Sequence, residues 1–248
     1  MKIIIAISLV SLVLSVLGDR RNCKLNKSKV VVCEDAGLIT RVFHPADDNN
    51  LTLDLNGSST IQRNAFKNVN NWQLQLILPE EGAPHTLFLE SGSFRGVGYT
   101  TNLDIQNANI VFDGNPWEDL GDLAILRCKN CGFTEVPTEI LESFPKLEEL
   151  YLEDHRIDVI HENAFASLKN LTVLTLTREK PITLEPGWLN GLDQLEELTI
   201  AANSFTLAPG IFDGLKKLDT LRLRGKIDNS TIPKIYDSIK TLTNLEVD

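Results

Sequence analysis

The sequence predicts an α/β solenoid, a stack of about eight coils that each give one short strand to a parallel, concave β-sheet. Three observations carry this. First, an apolar residue recurs at Phe66, Phe94, Trp117, Leu141, Phe165, Leu189 and Phe212, in steps of 28, 23, 24, 24, 24 and 23 residues. That period falls in the range of about 20–29 residues used by one class of repeat architecture. Second, apolar residues alternate ahead of each closing residue, as in Leu150-Tyr151-Leu152 and Leu198-Thr199-Ile200. Alternation sends the leucines to one face of a strand and the intervening residues to the other. Third, Cys23 and Cys33 stand just before the first coil, where a stack needs a cap because a terminal coil has no neighbour to cover it.

The elements follow in order. Lys2 and the apolar run Ile3–Leu17, broken by Ser8, Ser11 and Ser15, precede Gly18-Asp19, the layout of a secretory signal peptide over residues 1–18. The competing reading, a membrane anchor, has Arg20 and Arg21 in its favour. Against it, the run is short for a bilayer span of about 20 residues. Residues 19–47 form the N-terminal cap, with Cys23 and Cys33 closing a hairpin by a disulfide, as cysteine pairs do in secreted chains. The solenoid runs from 48 to 248, its last coil incomplete.

Leu51, Leu53, Asn56, Ile61 and Phe66 make the first coil, and Leu76 and Leu78 belong to the second. Pro79-Glu-Glu-Gly-Ala-Pro84 reads as an inserted loop. Leu103, Ile105 and Ile110 restore the pattern, with Ala108 where a turn Asn is expected. Cys128-Lys-Asn-Cys131 is aligned by the repeat with Leu152 and His155, so both cysteines are expected in the core rather than in a redox or zinc site. The fifth coil runs from Leu147 through His155 and Ile157 to Leu168, and the seventh has Asn203 in the turn place. A ninth strand starts at Leu245. No cysteine-rich cap follows it, and a bare end would expose core and a strand edge, a route to self-association; either the protein is longer, or this end pairs with another chain, or Ile232 to Leu242 folds as a helical lid.

The pattern L-x-x-L-x-L-x-x-N-x-I at Leu147–Ile157 and Leu195–Phe205, with the closings Ala65-Phe66 and Ala164-Phe165, resembles the extracellular leucine-rich-repeat family. Its style is similar to Toll-type receptor ectodomains and to secreted arthropod immune leucine-rich-repeat proteins. The resemblance covers the chain from about residue 48, and in part the cap, where family members usually carry four cysteines. It implies a horseshoe fold and recognition of a ligand, with innate immunity as the setting.

Charge and motifs narrow the function. The net charge is −10, and nucleic-acid binding normally needs a basic footprint, so neither nucleic acid nor, after signal cleavage, a membrane is the expected partner. Five sequons occur, at Asn26, Asn50, Asn56, Asn170 and Asn229. With a signal peptide they point to a glycoprotein. Asn26, Asn50, Asn170 and Asn229 are the expected sites, whereas the repeat register puts the Asn56 amide inside the turn. The histidines at 44, 85, 155 and 161 complete no H-E-x-x-H, and no nucleophile elbow or phosphate loop is present. No enzyme activity, cofactor or metal is therefore expected.

What remains is the outward strand face. Its central column reads Thr52, Ile77, Asp104, Arg127, Tyr151, Thr175, Thr199 and Arg222. Its second column reads Asp54, Pro79, Gln106, Lys129, Glu153, Thr177, Ala201 and Arg224. Arg127, Lys129, Glu149, Tyr151, Glu153, Thr175, Arg222 and Arg224 are the candidate binding residues, because Tyr and Arg are enriched at interface hot spots. The expected function is a secreted, extracellular module binding a protein on this face. The alternative is an adhesion or receptor ectodomain whose C-terminal cap and membrane anchor lie beyond this sequence.

Overall fold

Alternating leucines write the burial pattern directly. In the coils with the x-L-x-L-x signature the leucines are buried and their neighbours reach the surface, Thr220 excepted, as a strand with one covered face requires. The structure, a computed structural model, describes residues 23–25, 30–43, 49–67, 69, 71–82, 85–207, 210–227, 235 and 239–247. Residues 1–18, read as a signal segment, and the sequons Asn26 and Asn229 lie outside the described residues, as does most of the lid expected over 232–242. Among the described residues no helix is long and apolar enough to cross a membrane. The chain divides into two compact units, one up to Thr101 with Gln106–Leu120, the other Asn102–Ile105 with the chain from Gly121.

The first unit begins with β1 (Cys23–Leu25), β2 (Val31–Asp35) and β3 (Leu38–Phe43), paired antiparallel. Cys23 faces Cys33 across β1 and β2 and is bonded to it, which makes the expected cap. β4 (Asn50–Asp54) and β6 (Gln73–Ile77) pair in parallel. A second parallel layer, which the repeat pattern had not disclosed, runs from β3 through β5 (Ser59–Ile61) and β7 (His85–Leu89) to β9 (Ala108–Phe112). The cap therefore feeds its last strand straight into this layer. Beneath the layer, Phe66, Phe94 and Trp117 stack with centroids 5.6 and 5.4 Å apart. The first three closing residues of the period are thus one aromatic column.

In the second unit β8 (Asn102–Gln106) lies beside β10 (Ile125–Lys129). Next come β11 (Glu149–Glu153), β13 (Val173–Thr177), β15 (Glu197–Thr206), β16 (Thr220–Lys226) and β17 (Asn244–Val247), all parallel. The expected strands at Leu150–Leu152, Leu174–Leu176, Leu198–Ile200 and Leu221–Leu223 are all present. The return path is mainly turns, with two short strands, β12 (Val159–Ile160) and β14 (Ile182–Leu184), that pair in parallel. Among the described residues the one full α-helical turn is α1 (Thr138–Leu141). The α/β solenoid of about eight coils is therefore nearly all β.

The residue turned inward after each strand differs from the expected one in a regular way. Asn107, Asn130 and Asp154 adopt left-handed backbone, with φ of 60°, 52° and 54°. Each lies two places after the second apolar residue of its strand, and the next residue, Ala108, Cys131 or His155, is the buried one. Where that place holds Leu55, Leu78, Arg178 or Ala202, no left-handed step occurs and that residue is itself buried. Asn and Asp tolerate the left-handed region that other side chains avoid, so they add one residue to the turn. This corrects two expectations. Asn56 and Asn203 are exposed rather than inside the turn, because Leu55 and Ala202 fill the interior one residue earlier.

A second correction concerns register. Thr52 lies opposite Gln75, and Asp54 opposite Ile77. Ile77 therefore belongs to the second column, and Pro79 has left the strand. Leu74, Leu76 and Leu78 are all buried. Three leucines in alternation leave a slip of two residues undetectable, because every side chain keeps its face.

Candidate functional site

Parallel pairing brings the candidate residues of the second unit together in strict register. Arg127 stands opposite Tyr151, Tyr151 opposite Thr175, Thr175 opposite Thr199, and Thr199 opposite Arg222. The apolar residues on either side of each are buried in the core, so these five side chains point out. Lys129 is exposed directly across from the half-buried Glu153.

At one side of this face the Arg127 guanidinium lies 4.3 Å over the centre of the Tyr151 ring. The Tyr151 hydroxyl donates to Glu149 Oε2 at 2.8 Å, and Arg127 Nη2 approaches the same oxygen at 3.5 Å. Burial and then Glu149 push the Tyr151 hydroxyl above its ordinary pKa, so at neutral pH it stays protonated and remains a donor. The three side chains hold one another by cation–π and charge-assisted hydrogen bonds. They present one preset aromatic surface edged by a cation and an anion.

Toward the other side Arg222 is gripped between two strands. It reaches Glu197 at 3.0 Å and Glu246 at 3.2 Å, and these bonds raise its affinity for the proton, Glu197 first. Glu197 and Glu246 were not among the candidates. Glu197 occupies the register place of Glu149, and Glu246 occupies that of Arg222 in the ninth strand. Between the two charged clusters β13 and β15 contribute Thr175, Thr177, Thr199 and Ala201, all small and half-buried. Arg224 is exposed beside Ala201 in the same row. The face is a flat threonine floor with an Arg–Tyr–Glu cluster on one flank and an arginine with two glutamates on the other.

Inside the same unit lies a polar column. Cys128 and Cys131 are buried thiols, and Cys131 donates to the Ile105 carbonyl at 3.2 Å. Burial, with Cys128 beside it, drives the Cys131 thiol well above its ordinary pKa, so the pair takes a core role, as the repeat register required. His155 Nδ1 accepts from the Ile157 N–H at 3.1 Å and so does the work expected of a turn Asn. Burial and the nearby Arg178 lower its pKa to about 4. Arg178 is itself buried and donates to Asp158 at 2.7 Å. Among the described residues no group of three or more His, Cys, Asp or Glu side chains could hold a metal ion.

Of the remaining candidates, Asn50 and Asn170 are both exposed. Asn170 Nδ2 donates to the Pro145 carbonyl at 2.9 Å; a glycosylated amide keeps one N–H with which to do so.

Comparison with known proteins places these repeats. The family profile described as leucine rich repeat matches residues 121–180, 145–205 and 169–226. Among solved structures, TLR13 in complex with ssRNA13 superposes with a TM-score of 0.61 at 22% identity, over 81% of this chain and 32% of that one. This chain thus spans about a third of that protein's length. A leucine-rich-repeat protein of Leptospira interrogans matches with a TM-score of 0.49 at 24% identity, over 71% of this chain and 43% of its own. No curated protein sequence matches. The coils of residues 121–226 therefore match leucine-rich repeats, and the chain has the solenoid fold of such repeats.

Proposed function

We propose that the chain is a secreted, extracellular recognition protein that binds a protein partner on the outward strand face of its second unit, in an innate immune setting. The observation that carries this reading is the preset Arg127–Tyr151–Glu149 cluster. Side chains already held in place lose little freedom on binding, so more of their contact energy appears as affinity. Tyr and Arg are also the residues most often found as hot spots. The Thr175–Ala201 floor admits close approach of a polypeptide, and Arg222 with Glu197 and Glu246 offers mixed charge on its far flank. Mixed charge suits a protein surface better than a polyanion, which would meet carboxylates at both flanks of a chain whose net charge is −10. The TLR13 neighbour was solved with ssRNA13, but its likeness to this chain extends to the fold alone.

The test uses secreted full-length protein and the partner it retains from extracellular fluid. Tyr151→Ala is expected to weaken that complex at least tenfold, the loss of roughly 2 kcal/mol typical of a hot spot, without changing secretion. Thr199→Arg, which raises the floor, should weaken it as well. A synthetic single-stranded RNA should show no saturable binding at physiological salt. Normal partner affinity in both variants, or saturable RNA binding lost with Arg127→Ala, would overturn the reading.

A further inference from the structure

Two large aromatic side chains in the first unit lie open to solvent: Trp72 is 62% exposed and Tyr99 68%. Neither belongs to the strand face described above. Both sit where the chain enters a strand, and backbone bonds fix their places. The Trp72 and Gln73 N–H groups both donate to the Asn49 carbonyl, and the Thr101 N–H donates to the Trp72 carbonyl. Asn50 faces Gln73 across β4 and β6. Asn50, Trp72 and Tyr99 therefore step diagonally over three successive coils, each further from the strand than the last. Adjacent strands lie about 4.8 Å apart, so two steps span roughly 10 Å.

Asn50-Leu51-Thr52 is a glycosylation sequon. Asn50 is exposed, and Thr52 is bonded through its hydroxyl to Gln75 at 2.8 Å. The neighbours along the diagonal that reach the surface, Asn49, Gln73 and Thr101, are all amides or hydroxyls, while Asn71 and Thr100 are buried beneath them. An aromatic ring framed by uncharged polar groups matches a sugar, which packs the C–H face of its ring on the π-surface and turns its hydroxyls to the amides.

We propose that Trp72, extended by Tyr99, is the packing surface for an N-linked glycan on Asn50. The glycan joins through a bond from Asn50 Nδ2 to C1 of the first N-acetylglucosamine. The lipid diphosphate of the donor departs as that bond forms, and one amide proton is lost. Transfer acts on the unfolded segment, before Thr52 meets Gln75. On folding, the first sugar lies against Trp72 and the second reaches toward Tyr99. The exposure of Trp72 then has a physical reason: the indole is covered in the mature glycoprotein.

This inference rests on passage through the secretory pathway, and Asn170 serves as the separate check on that. Protein secreted from glycosylating cells is analysed by intact glycopeptide mass spectrometry, and Trp72→Ala is made in the wild-type and Asn50→Gln backgrounds. Asn50 should be occupied. Trp72→Ala should lower Tm by about 2–4 °C when the glycan is present and by much less when it is absent. Amidase removal of the Asn50 glycan under native conditions should be several-fold faster in Trp72→Ala. An unoccupied Asn50 beside an occupied Asn170 overturns this inference alone. Unoccupied sequons throughout overturn it together with secretion. A Tm loss equal in both backgrounds, with unchanged glycan removal, overturns the packing role.

Discussion

At the scale of single residues, His155 shows how a buried polar group fits a leucine core. Its Nδ1 accepts from Ile157, so the proton sits on Nε2, which is buried without a protein partner, as are Arg178 Nε and Nη1. Charging the ring would put a second cation beside Arg178 in a poorly solvated site, and this is why its pKa falls to about 4. The unfolded chain, with an ordinary histidine near 6.5, binds more protons than the folded one between those values. Stability is then fully present above pH 6.5 and is lost as pH falls toward 4. The expected loss from this residue is roughly 3 kcal/mol. Denaturant titrations at pH 7 and pH 4 should show it as an excess over His155→Asn, which keeps an acceptor for Ile157 and has no charge to gain. Equal acid sensitivity of the two proteins would show that His155 is not the source.

At the scale of the element, the strand-to-turn step is set by one position. Asn or Asp there takes the left-handed region and sends the following side chain inward; any other residue goes inward itself. Asn130 is the clean test, since the buried Cys131 follows it. Asn130→Val should cost about 1–2 kcal/mol, because a β-carbon branched beside the carbonyl is penalised in that region, while Asn130→Gly should be nearly neutral. Urea denaturation of both variants decides, and similar stability for the two would refute the rule. Coil eight departs from both branches: Gly225 stands there at φ 140°, where a Cβ would meet the Ala202 carbonyl oxygen at 1.9 Å, and the following Lys226 is exposed. Leu55, Leu78 and Ala202 follow the second branch of the rule. An Asn three places after the strand leucine, at 56 or 203, is therefore a false signal, while an Asn or Asp two places after it is a true one.

At the scale of the whole molecule, stability comes from stacking, since each coil covers its neighbour's leucines and none can do so alone. Leu152 is fully buried in the column between Cys128 and Leu176. Leu152→Ala should cost about 2–5 kcal/mol, and hydrogen exchange should rise in β10, β11 and β13 together. Tyr151→Ala, one residue away and pointing out, should leave exchange in those strands unchanged while weakening the partner complex. A Leu152→Ala protein with protection lost in β11 alone would contradict the nearest-neighbour account.

The period of the closing residues and the alternation of leucines were enough to determine the repeat, its strands and the inward place of Cys128 and Cys131. All of these follow from which face of a strand must be covered, and that is written locally. The outward columns were legible from coil four onward, where each strand has just two inward apolar residues and one register. Tertiary structure alone decided the register of β6, the second parallel layer from β3 to β9, and the bond partners of Arg222. It also decided the exposure of Trp72 and Tyr99. Each depends on which coil lies beside which and at what offset. A slip of two residues preserves every hydrophobic contact a sequence can display, so only the stacked neighbours, through their backbone hydrogen bonds, select one register from the rest.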